Sequence, residues 1–358
     1  MKDQVADFVL VGSTPFALLL AGLLSGKYER HILLISRRTP SFRLPHCIDL
    51  SCAPITRPQS WAMLVRGMQE TFKLTGQIAG RAAWKHVDPV FFSSAPHAIE
   101  ALSHMRHMAQ AFGVAAEQAP KSLLDAGYHG VIFRDAALLD RLAFQPHLLK
   151  WLHKTGVQLI APEAMSIADD GSAVITNDGV ELCARQTMLA DDAAILSHLK
   201  DAQWPGLLVR HPAATILTAP TRTLAARVMM EIESGLILLK QLEGGIAAIG
   251  LESMVSLSGR VQNLLGQTGP IEQLGQTRFI KISTKDGAPA VGRINGTGPD
   301  IVAGLGPIAL FFVPALARWL CNKASADEAD WFGARLVSRR TSDTPVSEYS
   351  SSIGSLTA

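Results

Sequence analysis

Cysteine is scarce in this chain and poorly spaced for a disulfide framework. The four present, Cys47, Cys52, Cys183 and Cys321, include no CxxC pair. That usage suits a reducing compartment, and a cytoplasmic protein is the expectation. Charge is sparse as well. Lys, Arg, Asp and Glu make up 18% of the 358 residues, with a formal net charge of +2. Nothing in that balance attracts a polyanion, so no nucleic acid is expected as a partner. An apolar content of 48% excludes disorder over any large part, because such a chain buries enough surface to fold. No HExxH, GxxxxGK[ST] or GxSxG pattern occurs, which removes the zincin, P-loop and nucleophile-elbow chemistries.

What is abundant is apolar sequence at the two ends, and the mean hydropathy is +0.20. The first run is FVLVGSTPFALLLAGLLSG, residues 8–26. Its flank MKDQVAD mixes Lys2 with Asp3 and Asp7, whereas a secretory leader opens on a basic segment. Ser13, Thr14 and Pro15 interrupt the run, short of the roughly 20 apolar residues that cross a bilayer. No transmembrane segment is expected. The pattern predicts a βαβ start with a strand at 8–11, a turn at 12–15, a helix at 16–24 and a second strand at 31–35.

A dinucleotide-binding turn reads GxGxxG, so that the backbone approaches a diphosphate at the head of a helix. Here the turn reads Gly12-Ser13-Thr14-Pro15-Phe16-Ala17. Only the first glycine is kept. Pro15 removes an N–H that the first helical turn leaves free anyway. The acidic residue expected after the second strand is replaced by Ser36, followed by Arg37 and Arg38. Those arginines either take a phosphate, as in NADP-binding variants, or cap a surface loop.

Further on, the sequence predicts a β-piece after Gly127, a helix over 136–154, a cap at Gly156 and a strand over 157–160. A hairpin turning at Asn177-Asp178-Gly179 follows, and its return strand ends at Asp191-Asp192. Near the C-terminus a strand at 301–303, the turn Gly304-Leu305-Gly306 and a helix to Trp319 form a second apolar run, broken by two glycines and two prolines.

This order of parts resembles the flavin-dependent amine and amino-acid oxidoreductases of the D-amino-acid oxidase and glycine oxidase group. The matching pieces are Gly12 to Arg37, Val131 to Asp192, and Asp286-Gly287-Ala288-Pro289-Ala290-Val291-Gly292 with Gly304-Leu305-Gly306, across residues 5–335. The resemblance implies FAD as cofactor, held by Gly12, Ser13, Thr14, Pro15, Ala17, Ser36, Arg37, Gly304, Leu305, Gly306 and Pro307. It implies an α/β fold: a glutathione-reductase-like FAD-type Rossmann domain from residues 1–60, 131–204 and 276–335. A mostly antiparallel substrate domain, from 61–130 and 205–275, is interleaved with it and holds strands such as Ala214–Leu217 and Leu236–Leu239. The departures fall on cofactor-facing positions. Asp191-Asp192 stands where the family has Ala-Gly or Thr-Gly, and Ile308-Ala309 where a glycine opens the last helix. Lys281 replaces an arginine five residues before Asp286, which keeps the charge and loses the bidentate grip.

Two residues carry the implied chemistry. Lys281 either faces the flavin pyrimidine or the anionic end of a substrate, or is a solvated strand lysine. His46, with Cys47 beside it in the loop 41–55, either lies against the flavin, by which some relatives are covalently tethered, or packs the loop. His97, Glu100, His104 and His107 form one polar helix stripe, read as a wet surface and not as a metal site. Residues 336–358 are polar and serine-rich and are expected to be a disordered tail. The leading reading is hydride transfer from an amine or amino acid to FAD. The alternative is a degenerate flavoprotein-fold subunit or maturation partner, in a hetero-oligomer with another protein. A reductase reading NADP through Arg37 and Arg38 leaves the FAD-like C-terminal region unexplained.

Overall fold

The computed structural model describes residues 5–37, 44–221, 224–266, 269–294, 296–340 and 348. Its first sheet draws strands from distant parts of the chain. In spatial order they are Ala290–Ile294, Thr297–Ala303, Val180–Leu189, Ala6–Val11, Ile32–Ile35 and Gln158–Ile160. From Thr297–Ala303 onward every neighbouring pair is parallel. Parallel strands are covered on both faces and read as continuous apolar runs, as FVLV and ILLI do. The hairpin Ala173–Asn177 to Val180–Leu189 turns at Asp178 and Gly179, whose φ values of 51° and 72° need the residues found there.

The helix Pro15–Tyr28 starts where expected. The Thr14 hydroxyl accepts the Ala17 N–H at 3.3 Å, and Pro15 sits in the first turn. All residues from Phe16 through Leu24 are buried, so the helix is a core rod and not an amphipathic cover. It packs on Val313–Leu320, and side chains of both helices belong to one buried cluster. The two apolar ends of the sequence therefore fold onto each other. Among the described residues no helix is long and apolar enough to cross a membrane.

The second sheet runs Gln273–Thr284, Leu208–Thr218, Ile246–Gly250, Ile237–Lys240, Val228–Glu231, Val90–Ser93, His129–Phe133 and Ala116–Gln118. It is antiparallel except where Val228–Glu231 meets Val90–Ser93. The α/β architecture of a parallel sheet beside a mostly antiparallel one is as expected, but several local boundaries differ. His129–Phe133 pairs with Val90–Ser93 in the second sheet, so the switch to the first comes later than residue 131. Residues 136–139 are not helical. Ala136–Leu139 is a buried strand paired with Trp84–Val87, and the helix begins at Arg141, capped by Asp140.

The C-terminal residues expected to be disordered are structured at 336–340 and at 348. Val337 is buried, and Leu336 bridges to Val291. Glu348 is buried against Arg335, with a nitrogen–oxygen distance of 2.9 Å. The rest of that expected tail lies outside the described residues, as do Arg38 and residues 41–43 of the loop. On the helix Pro96–Ala111 the side chains of His97, Glu100, His104 and His107 are exposed, and Ala98, Leu102 and Met105 face the core.

Candidate functional site

Four turns follow the C-terminal ends of adjacent parallel strands: Gly12–Pro15, Ser36–Arg37, Asp191–Asp192 and Gly304–Pro307. Hydrogen bonds knit the first three together. Gly12 N–H donates to Ile35 O at 3.0 Å, and Ala190 N–H to Val11 O at 2.9 Å. Arg37 N–H donates to Ser13 Oγ at 2.9 Å. Gly12 has no room for a side chain, since a Cβ there would lie 2.8 Å from the Ala17 Cβ and 3.2 Å from Asp191 Oδ2. This close glycine-to-helix approach is what a dinucleotide turn requires.

Asp191 was legible only as a departure from the family pattern. In the structure it caps the short helix Asp192–His198, with Oδ1 accepting Ala194 N–H at 2.9 Å. Its other oxygen accepts Ser13 N–H at 2.7 Å. Burial pushes the Asp191 carboxyl up, against those two N–H bonds. Asp191, followed by Asp192 and the apolar run AAIL, carries an N-cap signal readable in sequence. Its second bond, to a loop 178 residues away, is not.

Lys281 is no solvated strand lysine. It is half-buried, with Nζ 2.9 Å from Asp192 Oδ2. Burial disfavours its charge, but the Asp192 carboxylate outweighs this and holds its pKa above the ordinary lysine value. Cys47 lies close enough to act on it electrostatically. The Cys47 Sγ accepts from Arg141 Nη2 at 3.2 Å, and Arg141 is paired with the buried Asp49 at 2.8 Å. His46 stacks on Phe279, with ring centroids 4.0 Å apart and planes 5° from parallel. Phe279 and Lys281 lie on one face of the strand Gln273–Thr284. Arg141 and Asp49 were not singled out in the sequence, because each gains its meaning from a partner distant along the chain.

The loop carrying His46 and Cys47 joins both sheets. Thr215 Oγ1 donates to Pro45 O at 2.6 Å, and Leu50 N–H to Pro307 O at 2.8 Å. The Gly304–Pro307 turn is thereby tied to the same region, and Leu305 shares a buried cluster with Phe16 and Ala17. Gly304 and Gly306 have φ of 74° and 59°, and no atom comes within 4 Å of the place a Gly306 Cβ would take. Below this turn, Arg339 clamps Asp286 at 2.7 and 2.8 Å and also donates to Ala288 O and Pro289 O. Arg339 lies in the stretch expected to be a disordered tail. Two hollows of about 600 and 640 Å³, one at Tyr128, Glu231 and Arg260 and one at Asp88 and Arg134, lie on the second sheet and are lined by none of these residues.

A dinucleotide fits this edge at three points: the bare Gly12, the head of the Pro15–Tyr28 helix, and the open Gly306 turn. The carboxylate of Asp191 opposes it at a fourth.

No protein-family model and no curated protein sequence matches the chain. Solved structures do. An L-proline dehydrogenase from P. horikoshii superimposes with a TM-score of 0.71 at 14% identity, covering 92% of this chain and 96% of that one. A glycine oxidase from Geobacillus kaustophilus gives 0.68 at 13% identity, over 91% and 97%. An iminodiacetate oxidase from Chelativorans sp. BNC1 gives 0.65 at 14% identity, over 88% and 94%. The chain has the fold of these amino-acid oxidases and dehydrogenases over nearly its whole length.

Proposed function

We propose that the chain is an FAD-dependent oxidoreductase that takes a hydride from the amine-bearing carbon of an amino-acid-like substrate. The observation that carries this reading is positional. The turns at Gly12, Ser36, Asp191 and Gly304 sit together at the C-terminal edge of a parallel sheet, where open α/β folds bind dinucleotides. The three solved relatives with this fold are named as acting on proline, glycine and iminodiacetate, which supports a small amine or amino acid as substrate. Four free cysteines are consistent with a cytoplasmic location.

When bound, FAD supplies the hydride acceptor and passes the electrons on. The chain supplies position and charge. Gly12 and the head of the first helix would receive the diphosphate. Ser36 and Arg37 would hold the ribose, and Gly304–Pro307 would hold the ring. Lys281 and Arg141, both close to Cys47, would place positive charge where a substrate carboxylate or a reduced ring carries negative charge. Each is held in place by its acid, Asp192 and Asp49 respectively. No residue in this group is needed as a strong base, because orienting the C–H bond of a neutral amine is enough.

The test is to incubate the full chain with excess FAD, remove the unbound fraction, and assay dye reduction with a panel of cyclic, secondary and primary amino acids. The expected result is retained flavin and turnover by at least one of them. A chain that retains no flavin overturns the reading and returns it to a degenerate fold that serves a partner protein.

A further inference from the structure

We propose that Asp191 is a resident competitor for the diphosphate of the dinucleotide, so that FAD enters this chain only as Asp191 releases Ser13. The proposal rests on the FAD reading above and deepens it. One oxygen of the carboxylate already accepts the Ser13 N–H, at 2.7 Å. The same oxygen lies 3.2 Å from the place a Gly12 Cβ would take, against the glycine that a dinucleotide loop keeps bare. An anion drawn to this loop therefore meets one that the chain supplies itself.

The local charge gives the incoming phosphate little relief. Asp192, the next residue, is a second carboxylate, and Lys281 is committed to it at 2.9 Å. Arg37 faces the loop through its backbone N–H on Ser13 Oγ, and its exposed guanidinium acts on His198 at the far end of the helix that Asp191 caps. Asp191 is also anchored from behind, because its other oxygen caps Ala194 N–H at 2.9 Å. The cap holds the carboxylate aimed at the loop and makes its release a discrete event. Two anions at contact distance in a partly buried site repel strongly enough to change an affinity by about tenfold or more.

The experiment compares wild type with Asp191→Asn, which keeps the shape, and Asp191→Ser, which keeps a capping oxygen for Ala194. Each folded chain is titrated calorimetrically with FAD, with ADP as a probe of the diphosphate half, and with riboflavin, which lacks it. The proposal predicts that both variants bind FAD and ADP at least about tenfold more tightly than wild type, with riboflavin unchanged. If the serine variant does not fold, the asparagine variant decides. Equal FAD affinity in wild type and variants overturns the competitor role and leaves the FAD reading standing. Weaker binding in the variants also overturns it, since Asp191 would then be holding the cofactor. FAD binding by none of the three overturns both.

Discussion

The ammonium of Lys281 and the carboxylate of Asp192 lie 2.9 Å apart and join the strand Gln273–Thr284 of the second sheet to the helix that follows Val180–Leu189 of the first. Both side chains are half-buried, so the pair is screened less than a surface bridge. Lys281→Met is expected to lower unfolding stability by about 1–3 kcal/mol. The double variant with Asp192→Asn is expected to lose less than the sum of the two single changes. Urea unfolding of the four proteins in the cycle measures the coupling. Strict additivity would mean that the contact contributes nothing.

Gly12→Ala is expected to destabilise the chain by about 1–3 kcal/mol through overpacking, because the new methyl meets the Ala17 Cβ at 2.8 Å. Pairing it with Ala17→Gly is expected to restore most of the loss. Thermal melts of the single and double variants check this, and an unrescued double variant would place the strain elsewhere.

Two carboxylates make opposite contributions to the pH dependence of stability. Burial works against the charge of Asp286, but Arg339 outweighs it and holds the carboxyl below its ordinary range. That contribution is present above the ordinary carboxyl pKa and is lost as the pH falls through the depressed value. Asp191 is raised by burial. Its contribution is complete below the ordinary carboxyl pKa and is lost as the pH rises through the raised value. Melts taken between about pH 6 and about pH 3 are expected to fall less steeply in Asp286→Asn than in wild type. Those of Asp191→Asn are expected to fall more steeply.

Glu348 is expected to hold the C-terminus in place. Its carboxylate faces Arg335 at 2.9 Å and hydrogen-bonds Ser60, and its backbone carbonyl accepts Thr56 N–H at 2.9 Å. Glu348→Ala leaves a buried guanidinium without its counter-ion and is expected to cost about 3–5 kcal/mol. Removing residues 348–358 is expected to do the same. A truncated chain as stable as wild type in urea contradicts the clasp.

The parts of the fold that were legible in sequence are those set by local chemistry. Thr14 and Pro15 announce a helix start, Asp178-Gly179 a hairpin, and FVLV and ILLI buried parallel strands. Residues 136–139 misled because AALL is equally apolar as strand or helix, and pairing with Trp84–Val87 decides between them. Arg339 and Glu348 were hidden for a different reason. A charged residue in a serine-rich stretch looks the same whether it is solvated or locked to a partner far along the chain. The site followed the same division: Lys281 and the glycine turns stood out by pattern, but the pairings Lys281–Asp192 and Arg141–Asp49 are set by topology.

The central claim is that this edge of the parallel sheet carries FAD and uses it to oxidise an amine-bearing carbon. Its most direct test is an anaerobic half-reaction on the FAD-loaded chain, mixing it with an amino acid found to support turnover and following the flavin band. The band is expected to bleach without added dye or oxygen, and more slowly when the hydrogen on the amine-bearing carbon is deuterium. A loaded chain whose flavin stays oxidised with every amine and amino acid offered would contradict it.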